Sequence, residues 1–197
     1  MRIGVYPGTF DPIHIGHTYT AQLAAEDQDL KLVFMVPAFC NPHKVNTPPA
    51  TSFSDRVVMT CLAAYIHKSV PNFRVDDWEG DQQRPVHTWE TLEHIQKKYP
   101  GDHISLIIGA DSLLTFHTWN KWEFILDNFD VVVVNRPGVV YGPMLASIYD
   151  RVKHVHFNDL AISSTMIRER LRKKLTVTNL VTREVEAYIR DWKLYKE

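Results

Sequence analysis

An α/β protein with an open, doubly wound parallel sheet is the fold this sequence predicts, on three observations. Short β-rich runs alternate with helical patterns along the chain. The run Lys31 to Val36 (KLVFMV) is almost continuously apolar, as a strand covered on both faces should be. Polar, glycine-containing segments stand directly after strand ends, where such sheets bind ligands. A length of 197 residues with 45% hydrophobic residues suits one domain around a sizeable core.

Arg2 to Tyr6 reads as the first strand and Gly16 to Ala25 as the first helix. Lys31 to Val36 is the second strand, and the Pro-rich stretch Asn41 to Pro49 after it is a loop. Ser54 to His67 is a helix with Ser54 as N-cap and Val57, Val58, Cys61, Leu62, Tyr65 and Ile66 forming one stripe. Thr88 to Tyr99 is the next helix, stopped by Pro100 and Gly101. Ile104 to Ile108 is a strand, Trp119 to Leu126 a Trp-rich helix, and Val131 to Val134 another strand. A looser segment runs to about Asp150, and Val152 to Phe157 is the last strand. Ser164 to Lys174 and Arg183 to Trp192 close the chain as helices. The expectation is a single domain over 1–197, with the C-terminal helices (about 164–197) packed on it.

Composition excludes several classes. Lys plus Arg number 22 against 23 Asp plus Glu, a net charge of −1, which argues against a broad nucleic-acid footprint. Apolar runs such as DVVVVN (130–135) are far too short to span a bilayer. MRIGVYPGTF has no apolar stretch ending in a cleavage site, and Cys40 and Cys61 show no metal or redox spacing. These features predict a cytoplasmic protein with no membrane or nucleic-acid partner. They leave a homo-oligomer open.

The segment after the first strand, GTFDPIHIGH (8–17), carries the chemistry. Gly8 permits close backbone approach, Asp11-Pro12 turns the chain, and Gly16 leaves room at the start of the next helix. His14 and His17, three apart, can face the same way. Imidazoles and backbone N–H groups at a helix start make an anion site. Taken alone, an H-x-x-H pair more often caps a helix. A zinc site with Asp11 is the weaker reading, because no second ligand pair accompanies it.

Near the C-terminus stands ISSTMIR (162–168). Ser164 suits an N-cap, Ser163 and Thr165 add hydroxyls, and Arg168 lies close to the start of the helix. A cation there opposes the helix dipole unless an anion sits between them. Arg170, Arg172, Lys173 and Lys174 read as a solvated face.

The decapeptide resembles the signature of the HxGH nucleotidyltransferase superfamily, with HxGH at His14, Ile15, Gly16 and His17. ISSTMIR is similar to that superfamily's second motif. The resemblance implies a Rossmann-like nucleotidyltransferase fold and a catalytic set of His14, His17 and Arg168. It implies ATP contacts from Gly8, Thr9, Phe10, Ile162, Ser163, Ser164 and Thr165 besides those three. It also implies Mg²⁺ as cofactor, carried by the ATP phosphates and not by protein ligands.

Further segments resemble the nicotinate-nucleotide adenylyltransferase family over essentially the whole chain. Pro42-His43-Lys44 implies that Lys44 meets substrate phosphate, although a solvated loop lysine would look the same. IIGADSLLTFHTW, ending at Trp119, implies that Gly109 and Asp111 meet the adenosine and Trp119 stacks on a planar ring. Asn135-Arg136-Pro137-Gly138 implies that Arg136 approaches the acceptor. Thr88 matches the family segment lining the pyridine nucleotide, while His87 replaces the usual tyrosine and leaves the acceptor open. NLVTREVEAYIRDWKLY (179–195) matches the family's terminal helix and speaks to packing.

The implied partners are ATP and a pyridine mononucleotide, and the implied reaction transfers AMP to nicotinate mononucleotide. A nicotinamide-mononucleotide enzyme would share every ATP motif. A phosphopantetheine adenylyltransferase would suit the opening Tyr6 to Pro12. A non-catalytic nucleotide sensor is the reading from a different class. Of the ten histidines, His14 and His17 carry chemistry, His43 and His87 lie beside substrate loops, and the others have no assigned role.

Overall fold

The computed structural model describes residues 1–40, 42, 48–65, 72–135, 146–156 and 161–196. Six strands form one sheet: β1 (Arg2–Gly8), β2 (Leu32–Pro37), β3 (Asn72–Val75), β4 (His103–Gly109), β5 (Asp130–Asn135) and β6 (Lys153–His156). Neighbours are parallel throughout, in the order β3-β2-β1-β4-β5-β6. Nine helices intervene among the described residues: α1 (Ile15–Asp27), α2 (Phe53–Tyr65), α3 (Trp78–Gln82), α4 (Thr88–Lys98), α5 (Ala110–Thr115), α6 (Trp122–Asn128), α7 (Ala146–Tyr149), α8 (Ser164–Arg172) and α9 (Arg183–Asp191). This is the doubly wound, Rossmann-like arrangement expected from the alternation of patterns. No helix among the described residues is long and apolar enough to cross a membrane.

Side chains alternate along a strand, so each strand feeds two cores. Val33 and Met35 of β2, with Val132 and Val134 of β5, pack against α1, α2, α8 and α9. Leu32, Phe34 and Val36, with Val131 and Val133, pack against α4, α5, α6 and α7. Both faces are covered, which explains the unbroken apolar runs.

The sheet forks at its centre. Pairing of β1 with β4 runs from Arg2↔His103 to Val5↔Leu106. Beyond it, β1 continues to Gly8 alongside Pro37 of β2, whereas β4 continues to Gly109 alongside Val134 of β5. The strand order reverses between these two strands, and their carboxyl ends border the crevice where such sheets bind ligands.

Several expectations need correction. The α2 helix is capped at Ser52, whose Oγ accepts the Asp55 N–H (3.1 Å), and not at Ser54. Its buried face is Arg56, Met59, Thr60, Ala63 and Ala64. Three of the six stripe residues face out: Val58 is 38% and Tyr65 65% exposed, and Cys61 is exposed as well. Leu62 packs at the core margin, and Ile66 lies outside the described residues. Two alanines let the helix approach the sheet closely, and carbonyl oxygens draw Arg56 inward.

The helix expected from Trp119 starts at Trp122; Trp119 is extended, after a short 3-10 turn over Phe116–Thr118. Strand β3 and helix α3 escaped the sequence reading because NFRV and WEGDQ are too short and mixed to show a period. Both cysteines are free.

Three histidines without assigned chemistry have structural partners. His103, Lys153 (2.6 Å) and Arg2 (3.8 Å) surround Asp130 at the amino end of the sheet. Burial pushes the Asp130 carboxyl up, but bonds from His103 and Lys153 outweigh it and hold the group below its ordinary value. His94 stacks on Trp78 (4.4 Å) and lies 3.4 Å from Asp76, while His154 stacks on Tyr149 (3.8 Å).

Two buried charges hold the exit of β2. The Arg56 side chain, 1% exposed, donates to the carbonyls of Thr9 (2.7 Å), Ala38 (2.6 Å) and Phe39 (3.1 Å). Burial lowers its pKa, against the opposing fields of Asp11 and Glu79. Glu79 accepts the Phe39 N–H (3.2 Å) and the Thr91 hydroxyl (2.8 Å). Phe39 is therefore gripped at both its N–H and its carbonyl. Burial pushes the Glu79 carboxyl up to about 7, although both bonds oppose the shift.

Arg56→Met would leave three buried carbonyls without their donor and should destabilise the fold by about 3 kcal/mol or more. Urea denaturation would show it as a lower midpoint at unchanged slope. The raised Glu79 pKa means that the native state binds the proton more tightly than the unfolded chain. Its contribution is therefore fully present below the unfolded value of 4.5 and is lost as pH rises through about 7. A shift of this size corresponds to about 3 kcal/mol. Glu79→Gln should flatten the fall in melting temperature between pH 5 and pH 8 relative to the wild type, read by scanning calorimetry.

Candidate active site

The segment Thr9 to His14 leaves β1 at the fork and delivers two histidines to the start of α1. His14 is 4% exposed, and its ring stacks on that of His17, with centroids 3.6 Å apart and planes 23° apart. Gly16 makes room for this arrangement: a Cβ there would stand 3.0 Å from His14 Nδ1 and 3.1 Å from its Cε1. The expectation that Gly16 leaves space therefore acquires a specific object, the His14 ring.

His17 is oriented twice. Its Nδ1 accepts the backbone N–H of His14 (3.2 Å), so the neutral ring carries its proton on Nε2. Its ring meets that of Phe10 in a T-shaped contact at 5.0 Å. Phe10 holds φ at 48°, in the left-handed region, and buries its ring completely. Any contact of Phe10 with ATP must therefore run through its main chain. A Cβ at Gly8 would stand 2.5 Å from that ring, so Gly8 serves the same support.

Asp11 ties the loop to distant parts of the chain. Its carboxylate, 4% exposed, accepts the Ala50 N–H (2.7 Å), the Thr51 hydroxyl (2.8 Å) and the Tyr195 phenol (2.8 Å). Burial and the neighbouring Asp11 hold the Tyr195 phenol well above its ordinary value and thus protonated. The Asp11–Pro12 peptide is cis.

The second motif docks on this loop. Ser164 Oγ donates to the Pro12 carbonyl (2.9 Å), and Arg168 Nη1 donates to the Asp11 carbonyl (2.7 Å). Ser163, not Ser164, caps α8: its Oγ accepts the Met166 N–H (3.2 Å). The Ser164 hydroxyl proton is committed to the first motif, which the sequence could not show. Arg168 Nη2 donates to Thr165 Oγ1 (3.2 Å), so Ser163 and Thr165 each accept one bond and keep a hydroxyl proton to donate. Ile162 packs against the core face that holds α1, and its Cβ would lie 3.9 Å from a Cβ at Gly16.

Across the fork, Gly109 caps α5 in open space, and Asp111 is exposed in the first turn of that helix. Thr88 opens α4, and Trp119 packs at its ring on Phe116 (5.2 Å). Lys44 and Arg136 lie outside the described residues. The structure thus gathers the predicted ATP residues around the β1–β4 crevice in two groups: motifs one and two in direct contact, and Gly109 with Asp111 at the end of β4.

Sequence reasoning missed the supporting residues. Asp11 read as a turn former and Tyr195 as part of a packing motif, yet a hydrogen bond joins them. Arg56 and Glu79 carried no signal beyond being charged residues within predicted helical or polar segments.

The cytidylyltransferase-like family model matches residues 5–170. A protein of Exiguobacterium sibiricum named "probable nicotinate-nucleotide adenylyltransferase" is 34% identical over 195 residues, covering 99% of each chain. One of the same name from Thermus thermophilus is 37% identical over 196 residues and covers both chains fully. In fold, the chain is similar to the Plasmodium falciparum nicotinic acid mononucleotide adenylyltransferase solved with NaAD, at a TM-score of 0.79 and 19% identity, over 98% of this chain and 97% of that one. With the two motifs docked at the crevice of a parallel sheet, this chain belongs to the nicotinate-nucleotide adenylyltransferase family of nucleotidyltransferases.

Proposed function

We propose that the protein transfers AMP from ATP to nicotinate mononucleotide, forming nicotinate adenine dinucleotide and pyrophosphate. The observation that carries this reading is the docking of Arg168 and Ser164 onto the loop that presents His14 and His17. Two groups of phosphate-binding side chains, far apart in sequence, become one rigid surface.

In this mechanism a phosphate oxygen of the mononucleotide attacks the α-phosphorus in line. The new P–O bond forms as the bond between the α-phosphorus and the bridging oxygen to the β-phosphate breaks. The nucleophile is already ionised at neutral pH, so no general base is needed. Catalysis is positioning plus stabilisation of charge on the phosphoryl oxygens. His17 donates from Nε2 and works with His14 at the α- and β-phosphates. Arg168, Ser163 and Thr165 receive the departing pyrophosphate, and Lys44 and Arg136 steer the acceptor.

Among the described residues no group of three His, Cys, Asp or Glu side chains is gathered to hold a metal ion. The carboxylate nearest the histidines in sequence, Asp11, is already occupied by three donors. The reading takes Mg-ATP as the substrate, with the ion carried by the phosphates and water.

Pyrophosphate release with Mg-ATP should be fastest with nicotinate mononucleotide among nicotinate mononucleotide, nicotinamide mononucleotide and phosphopantetheine. An equal or greater rate with nicotinamide mononucleotide would overturn the acceptor. Absence of turnover with all three would make the chain a nucleotide-binding protein. His17→Ala should lower kcat by about 10²–10³-fold, the usual effect of removing one donor to a developing charge. ATP affinity, measured by calorimetry, should change far less; a loss confined to KM would limit His17 to ground-state binding.

A further inference from the structure

The resemblance puts Thr88 on the segment lining the pyridine nucleotide and Trp119 against a planar ring, taken here as the pyridine of the acceptor, yet the two belong to different elements. Thr88 begins α4, whereas Trp119 sits in the irregular turn before α6. Their immediate neighbours are joined. Trp89 Nε1 donates to Asn120 Oδ1 (2.9 Å), and Lys121 Nζ lies 3.5 Å from the centroid of the Trp89 ring. Phe124 meets Trp89 edge-on at 6.4 Å, with planes 86° apart.

We propose that Trp89, Asn120 and Lys121 form a clamp that positions Trp119 against the start of α4, making Trp89 a positioning residue for the pyridine mononucleotide. The proposal rests on the acceptor assignment made above. The turn needs such support, because Trp119 is extended (φ −73°, ψ 143°) and Lys121 is left-handed (φ 53°). A lysine gains nothing locally from that conformation. The hydrogen bond fixes residue 120 and the cation–π contact fixes residue 121, each beside Trp119. Lys121 lies over one face of the Trp89 ring and Phe124 packs against it in a T-shaped contact, so Trp89 holds the Trp119 turn through these neighbours. Thr88 and Trp119 are each one residue from a clamp member, so the spacing of the two acceptor contacts follows from the clamp. The histidine and ISSTMIR motifs lie on other elements, after β1 and in α8, while Gly109 and Asp111 stand at the far end of α5 from the Trp119 turn.

Steady-state kinetics on the full chain test this. Trp89→Ala should raise the KM for nicotinate mononucleotide about tenfold, given the combined size of the two contacts, with the KM for ATP changed less than about twofold. Trp89→Phe keeps a ring face for Lys121 but loses the N–H, and should fall between the two. Asn120→Ala should weaken the acceptor in the wild type and add nothing in the Trp89→Phe background. Asn120 and Lys121 are exposed, so Asn120→Ala and Lys121→Ala test the idea even if Trp89→Ala does not fold. An unchanged acceptor KM in the exposed variants, or equal rises for acceptor and ATP, overturns the clamp alone. A wild type that prefers nicotinamide mononucleotide overturns the acceptor reading alone, and the variants are then scored on that acceptor. A wild type that turns over neither mononucleotide overturns both.

Discussion

The buried carboxylate of Asp11 is the interaction on which the rest of the site depends. A carboxylate removed from water is costly unless donors replace the solvent. Here the donors come from Ala50, Thr51 and Tyr195, spread over most of the chain. Satisfying one charge therefore brings the loop before α2, the C-terminal turn and the β1 loop to the same point. The Asp11 main chain then offers its carbonyl to Arg168, so the same residue also seats the second motif.

A second polar centre lies nearby, around Arg56 and Glu79. It stabilises backbone that hydrophobic packing cannot: irregular segments at the carboxyl ends of strands, where N–H and carbonyl groups have no ladder partner. Apolar cores on both faces of the sheet hold the strands, while a few buried charges shape the crevice above them. The division is physical. Packing is non-directional and positions whole elements, whereas hydrogen bonds to a guanidinium or carboxylate fix individual atoms.

Much of the fold was legible because its periods are strong. β2 and β5 are short apolar runs, and each appeared within a residue or two of its observed bounds. The α2 helix was placed correctly but turned wrongly. Its most hydrophobic stripe suggested a buried face, whereas the observed face uses Arg56, Thr60 and alanines. Hydropathy cannot credit an arginine that finds three carbonyls, nor small residues that earn burial through close approach. The helix caps show a similar limit: Ser164 is the N-cap the sequence suggests, but its hydroxyl bonds the Pro12 carbonyl and Ser163 caps the helix instead.

The sequence alone pointed to the class of chemistry, through the resemblance of GTFDPIHIGH and ISSTMIR to the motifs of the nucleotidyltransferase superfamily. It determined the sheet as well, through alternation and strand hydrophobicity. Only the tertiary structure decided how the site is held: the donors from Ala50, Thr51 and Tyr195 that gather on Asp11, the seat of Arg168 on the Asp11 carbonyl, and the link from Trp89 to the Trp119 turn. Residue type and spacing report what a side chain can do. Which partner it meets across the chain is set by long-range packing, and no local pattern in a single sequence records that.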